Sequence, residues 1–266
     1  MGATVITITS GKGGVGKTTT VANVAAALAA REQRVVCIDT DIGLRNLDVV
    51  LGLENRIVYD LVHVVEGTCR LRQAMIKDKR MPELYLIPAA QTRDKSALGE
   101  DDLTRVCDEL RSDFDWVLID SPAGIEGGFR NALAPADKVV IVTNPEVSAV
   151  RDADRIIGLI EAEEKGPAML ILNRVRADMV RRGDMLDTDD VLDILAVNLL
   201  GIIPEDEAVL VSSNRGVPVA LNGKSNVGQA YRDVAGRLQG EDVPFPDPDD
   251  SWAWISRLTQ FVRRGD

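Results

Sequence analysis

The chain has 266 residues, enough for one large α/β domain or two small ones, and its 31 Lys+Arg against 42 Asp+Glu leave a net charge of −11. That balance argues against a general nucleic-acid-binding surface, which would be basic, and 4% aromatics leave little for a base-stacking platform. The three cysteines, Cys37, Cys69 and Cys107, lack metal-type spacing and read as reduced thiols in the cytoplasm. His63 is the only histidine and lies on an apolar stretch without ligand partners, which removes histidine-based catalysis. The chain enters a strand pattern almost at once and has no run of 18 apolar residues, so neither a signal peptide nor a membrane span is expected.

Residues 4–9 alternate β-branched side chains and predict a buried strand. Next comes Gly11-Lys12-Gly13-Gly14-Val15-Gly16-Lys17-Thr18, which fits G-x-x-x-x-G-K-[ST], and Thr19 opens an alanine-rich run that predicts a helix over 18–31. Strand, glycine loop and helix together aim a helix N-terminus at a phosphate, and the glycines let the backbone approach it. Lys17 is placed to reach the β- and γ-phosphates, and the Thr18 hydroxyl to ligate Mg²⁺. Further apolar runs predict strands over 34–39, 84–87, 116–119, 138–142, 168–172 and 199–203. Several are near-continuous Val/Ile/Leu, as in strands covered on both faces. Helical patterns lie between them at 101–112, 126–133, 147–164, 189–197 and 225–238. The alternation predicts an α/β fold, a doubly wound, mostly parallel sheet with helices on both faces.

In such folds the ligand lies at the carboxyl ends of the strands. The second strand ends in Asp39-Thr40-Asp41, two carboxylates at i, i+2 that can face a Mg²⁺ ion and an attacking water. Residues 116–119 are apolar and run into Asp120, the arrangement in which a carboxylate holds the Mg²⁺ shell; Gly124, four residues on, could sense the γ-phosphate. Asn173-Arg174 and Pro204-Glu205-Asp206 follow later strands and could border a purine. An Asn-Lys-x-Asp loop of the kind that selects guanine is missing after Asn173, which favours ATP.

The second lysine of the loop, Lys12, has no task in an ordinary phosphate loop, because Lys17 already covers the phosphates. Lys-Gly-Gly-x-Gly-Lys-Thr-Thr resembles the deviant Walker A motif of the MinD/ParA class of P-loop ATPases. That resemblance implies ATP hydrolysis with Mg²⁺, an ATP-dependent homodimer and a Lys12 that crosses to the partner's nucleotide. It further implies that Asp41 orients the water, that Asp39 supports the first switch, and that the loops at 173–174 and 204–206 frame adenine. Asp41-Ile42-Gly43-Leu44-Arg45-Asn46-Leu47-Asp48, Ile76-Lys77-Asp78-Lys79-Arg80 and Asp120-Ser121-Pro122-Ala123-Gly124 narrow the resemblance to the septum-site-determining branch. The ParA-type Asp-x-Asp-Pro-Gln-Gly is absent at 39–44. Members of that branch bind the membrane with ATP, recruit the division inhibitor MinC and respond to the activator MinE; Asn46, Asp152 and Asp154 match their partner surface.

The composition breaks at 240–250, where three prolines and several acids predict a linker between an ATPase domain over 1–239 and a separate element over 251–266. In that last element Trp254, Ile255, Leu258, Phe261 and Val262 share one helical face, Trp252 adds a second interfacial tryptophan, and Arg257, Arg263 and Arg264 suit lipid headgroups. This reads as an amphipathic membrane-targeting helix, expected to hold the protein on the inner face of the cell membrane when ATP is bound. Asp247, Asp249, Asp250 and Asp266 offset the arginines, so attachment leans on apolar burial. Two other classes fit less well. A DNA-segregating ATPase needs a basic surface, and a metal-cluster ATPase needs paired cysteines at a dimer seam.

Overall fold

A computed structural model of the chain describes residues 2–94, 97–125 and 127–245. Eight strands form one sheet: β1 Thr4–Thr9, β2 Val35–Asp39, β3 Ile76–Lys77, β4 Leu84–Ile87, β5 Trp116–Asp120, β6 Lys138–Thr143, β7 Met169–Val175 and β8 Asn198–Pro204. Their order is β3-β4-β2-β5-β1-β6-β7-β8, parallel throughout except for the antiparallel edge pair β3–β4. The helices, in chain order, are α1 Lys17–Ala29, α2 Leu47–Val50, α3 Leu61–Val65, α4 Leu71–Ala74, α5 Glu100–Leu110, α6 Gly127–Leu133, α7 Val147–Ala162, α8 Ala177–Arg182, α9 Thr188–Leu195, α10 Glu207–Asn214 and α11 Asn226–Leu238.

Burial explains these elements. Every residue of β2 and β5 is buried, as expected for central strands covered on both faces. One core joins the sheet to α1 and α11 and includes Leu28, Tyr231 and Val234. On the opposite face, α5 presents Leu103, Val106, Cys107 and Leu110, an i, i+3, i+4, i+7 stripe, beside a third cluster around α7. Helix α1 is buried nearly all round, and its run of alanines lets it lie close against its neighbours. Its one buried amide, Asn23, is satisfied at both ends: Nδ2 donates to Thr19 O and Oδ1 accepts from Ala220 N.

The seven strands expected from sequence all form, within one to three residues at their ends. The structure adds β3 and the helices α2, α3, α4, α8 and α10, most of them too short to show a helical period. Strand β7 continues through Asn173 and Arg174, which therefore lie in the sheet and not after it. Arg174 takes a left-handed φ of 56°, and the register between β7 and β8 shifts across this stretch. The expected linker begins with contacts to the domain. Residues 241–245 lie on the domain: the Arg237 guanidinium stacks on Phe245 at 3.9 Å and bonds the carbonyls of Val243 and Pro244, while Arg31 pairs with Glu241. The tail residues Trp252, Trp254, Ile255, Arg257, Leu258, Phe261, Val262, Arg263 and Arg264 fall outside the described residues, as does Glu126. Among the described residues no helix is long and apolar enough to cross a membrane.

Gly201 shows how tightly α11 seats on the sheet, since a Cβ there would lie 2.3 Å from Val234 Cγ2. Gly201→Ala should cost about 1–3 kcal/mol through overpacking. A lowered urea midpoint with an unchanged m-value would verify it.

Candidate nucleotide site

The loop after β1 carries two left-handed glycines, Gly14 at φ 82° and Gly16 at φ 97°, and α1 begins at Lys17 without a side-chain cap. Its first amide donors therefore face the loop interior, where an anionic ligand would complete them. Two close approaches hold the loop. A Cβ on Gly16 would sit 2.2 Å from Asn173 Nδ2, which donates to Val15 O at 2.7 Å. A Cβ on Gly11 would sit 2.4 Å from the backbone of Asp152 in α7. Gly124, left-handed at φ 90°, donates its N–H to Ser10 O at 3.1 Å and brings the loop after β5 onto the same turn.

Beneath the loop, Lys17 Nζ donates to Asp120 Oδ1 at 2.9 Å, with side chains only 8% and 1% exposed. Asp39, paired in register with Asp120 across β2 and β5, is equally buried. Its oxygens accept from Asp41 N at 2.9 Å and Leu47 N at 3.3 Å. Burial, and then the Asp120 charge, push the Asp39 carboxyl up to about 7, against the opposing backbone hydrogen bonds. Lys17 thus pairs with Asp120 while Asp39 faces the same carboxylate, and a divalent cation beside the Thr18 hydroxyl would relieve the repulsion between them. No group of three or more His, Cys, Asp or Glu among the described residues could hold a metal alone. A Mg²⁺ ion here would therefore take much of its oxygen shell from phosphate and water.

Lys12 projects from the loop with its side chain 39% exposed, its Nζ 3.3 Å from Ser148 Oγ and 3.6 Å from Glu146 Oε2 at the start of α7. Such exposed contacts are worth about 1 kcal/mol or less. Asn46 precedes α2 and is exposed; Asp152 is half-buried and Asp154 exposed on α7. Asp152 lies 3.8 Å from Arg155.

A cleft of about 1140 Å³ opens from Gly16 and Thr19 between β7, β8 and α10. It suits a ligand of nucleotide size, small-molecule pockets being about 300–1,000 Å³. Asn173, Arg174, Pro204, Glu205 and Asp206 line it, which brings the two expected base-side segments together. Asp206 caps α10 by accepting from Ala208 N, and one N–H of the Asn173 amide is committed to Val15 O. Sequence reasoning missed Val50, Leu210, Ser213 and Tyr231 in this wall, and Arg176, which reaches Asp178 at 3.2 Å and Glu205 at 3.7 Å at the rim. Tyr231 sits on a recognised helix pattern, but only the packing of α11 on α1 turns it toward Thr20.

A glycine loop on a parallel sheet, a buried lysine–aspartate pair beneath it and a base-sized cleft beside it define a P-loop nucleotide-binding domain. Residues 6–219 match the CobQ/CobB/MinD/ParA nucleotide binding domain. The chain is 55% identical over 242 residues to the septum site-determining protein MinD of Bacillus subtilis, covering 90% of each. It superposes on the MinC:MinD cell division protein complex of Aquifex aeolicus with TM-score 0.87 at 48% identity, covering 92% of this chain and 99% of that one. The septum site-determining MinD of Pyrococcus horikoshii, solved with Mg-ADP, gives TM-score 0.80 at 29% identity, with coverages of 89% and 96%. The chain belongs to the MinD/ParA nucleotide-binding family.

The raised Asp39 carboxyl makes stability depend on pH. Below about pH 4 the group is protonated whether folded or unfolded; between there and about pH 7 only the folded state keeps the proton. Stability from this group is therefore lost as pH rises through that window. In the nucleotide-free protein, Asp39→Asn should gain on the wild type between pH 5 and pH 8 by on the order of 2 kcal/mol. Urea midpoints at the two pH values measure it, and parallel losses in both proteins would contradict it.

Proposed function

We propose that the chain is an ATP-hydrolysing, Mg²⁺-dependent switch in septum-site determination that dimerises with ATP, attaches reversibly to membrane and recruits a division inhibitor. The ATPase activity and the role in septum-site selection follow from the family; the switching cycle is our reading. It rests on one observation. Lys12 stands exposed on the nucleotide face, and large apolar residues that follow β2, β5 and β6 are exposed there with it. Leu44 follows β2, Ile125 follows β5 and Val147 follows β6, exposed by 64%, 57% and 57%. Exposed apolar residues rimming a polar site suit a protein interface.

In this reading Lys17, released from Asp120, neutralises the β- and γ-phosphates, and the α1 amides hold the same oxygens. Thr18, Asp120 and Asp41 would hold a Mg²⁺ ion, which would supply positive charge to the transferring phosphoryl group. Asp41 orients the attacking water, Asp39 fixes the Asp41 backbone through the bond to its N–H, and Gly124 reports the γ-phosphate. Lys12 leaves Glu146 and Ser148 and crosses to the partner's nucleotide, a cation supplied in trans. Lys17→Ala should abolish nucleotide binding. Asp41→Ala should keep ATP binding and dimerisation while cutting turnover by about 10²-fold or more. Turnover assays with sedimentation in a slowly hydrolysed ATP analogue separate the steps; wild-type turnover in Asp41→Ala would remove it from the mechanism.

The MinD of Aquifex aeolicus has been solved in complex with MinC. Asn46, Asp152 and Asp154 are our candidates for that contact and for the activator MinE. Asp152 carries the backbone that packs on Gly11, so a partner on this helix presses on the phosphate loop. Membrane attachment falls to residues 251–266, whose apolar face binds weakly as one copy and gains about 10²–10⁴ when a dimer presents two. Deleting 251–266 should leave ATP binding intact and abolish ATP-dependent pelleting with anionic liposomes. A truncated protein that still pellets would place the anchor elsewhere.

A further inference from the structure

Away from the phosphate loop, two left-handed glycines meet head-on. Gly52 follows α2 at φ 65° and Gly216 follows α10 at φ 60°. A Cβ on Gly216 would lie 2.5 Å from Gly52 Cα, and one on Gly52 would lie 2.7 Å from Gly216 O. Only glycine allows both the conformation and the contact. Arg80, on the loop between β3 and β4, stitches the junction shut. Its Nη1 donates to Gly216 O at 2.6 Å and its Nη2 to Leu51 O at 2.5 Å, while the same guanidinium holds Asp78 through Nε at 3.2 Å and Nη2 at 2.8 Å. Asp78 is 1% exposed and also accepts from Arg80 N at 2.7 Å. The planar fork is thus committed to two helix ends and one buried anion, a geometry a lysine cannot reproduce.

The two helices pinned here begin at opposite ends of the nucleotide site. Helix α2 starts at Leu47, whose N–H bonds Asp39 on the phosphate side. Helix α10 starts after its cap Asp206, in the base-side wall. Between start and pin, Val50 of α2 and Leu210 and Ser213 of α10 line the same cleft. A body seated on α10 therefore displaces or steadies α2 through a junction with almost no slack.

We propose that Arg80 is a positioning residue that couples occupancy of the base-side cleft to the phosphate-side segment 39–51. It touches neither base nor phosphate. Its effect passes through the Leu51 and Gly216 carbonyls, so that a base held against α10 favours the arrangement in which Leu47 supports Asp39. Base recognition then contributes to setting the catalytic carboxylates, besides adding affinity. The proposal rests on the placement of the base in the cleft described above.

Hydrogen exchange of the full-length protein tests both, with Mg-ADP and with Mg-pyrophosphate at saturation. The difference between the two ligands is the effect of the nucleoside. In the wild type, Mg-ADP should slow exchange at 207–214 and, relative to Mg-pyrophosphate, slow it at 47–52 by about tenfold, a typical intersite coupling. In Arg80→Gln the slowing at 207–214 should remain and the increment at 47–52 should fall to about twofold or less. Arg80→Lys keeps the Asp78 ion pair but cannot bridge both carbonyls. It should melt close to the wild type yet lose the same increment, which a purely structural role would leave in place. No slowing at 207–214 in the wild type would overturn the base placement and the proposal with it. Slowing at 207–214 without an increment at 47–52 would overturn the coupling alone. An increment that survives in both variants would remove Arg80.

Discussion

A lysine and a carboxylate buried in contact, Lys17 and Asp120, are the constraint around which the site is organised. Neither charge could be left alone at this depth: removing one partner of such a pair costs about 3–5 kcal/mol. The pair fixes where α1 begins, because Lys17 is its first residue, and where β5 ends, because Asp120 is its last. The loop between β1 and α1 must therefore turn in a small space, which is why Gly14 and Gly16 are left-handed and why α1 starts uncapped. It also leaves Asp39 facing an anion already present, which together with burial favours its protonated form. In the proposed cycle the pair is a placeholder as well as a support: triphosphate and metal would divide its two charges between them.

The loop is clamped from two sides by elements with other work. Asn173 of β7 bonds Val15 and blocks any side chain at Gly16, while Asp152 of α7 does the same to Gly11 through its backbone. Strand β7 also lines the base cleft, and α7 carries the acids and the Lys12 contacts. Close-packed interfaces of this kind transmit small displacements in preference to absorbing them. The cleft wall, the phosphate loop and the α7 surface thus share one set of contacts.

Much of this was legible in the sequence, for identifiable reasons. Fully buried parallel strands are runs of Val, Ile and Leu whatever their neighbours, so seven of them stood out. That Asp39, Asp41, Asp120, Asn173 and Glu205 would gather at the carboxyl ends of the strands followed once the topology was assumed. What escaped depends on tertiary contact. Helices α2 and α10 are short, and Leu210 and Val211 of α10 are exposed, so no amphipathic period marks the latter. Arg174 gave no local sign of a left-handed backbone, because the register shift against β8 imposes it. The first residues after α11 looked like free linker by composition, yet Arg237 and Arg31 hold Phe245 and Glu241 against the domain. Gly52, Gly216 and Arg80 are far apart in sequence and carry no shared motif.

Charge sets the remaining condition. Two copies at −11 each repel, but at physiological salt that repulsion is screened beyond about 8 Å, so what counts at an interface is the charge within contact range. On the nucleotide face that local charge is acidic around Asp41, Glu146 and Asp152, with Lys12 the exposed cation of the loop itself. In a single copy Lys12 gains little from Glu146 and Ser148, both exposed contacts. Across a dimer seam, shielded from water, the same ammonium facing a triphosphate gains far more, because the effective dielectric falls and the charge opposite rises. In the proposed cycle, the preference of Lys12 for its own chain or for a partner's nucleotide would therefore be decided by whether the triphosphate is present, and the bound nucleotide would be a condition for pairing.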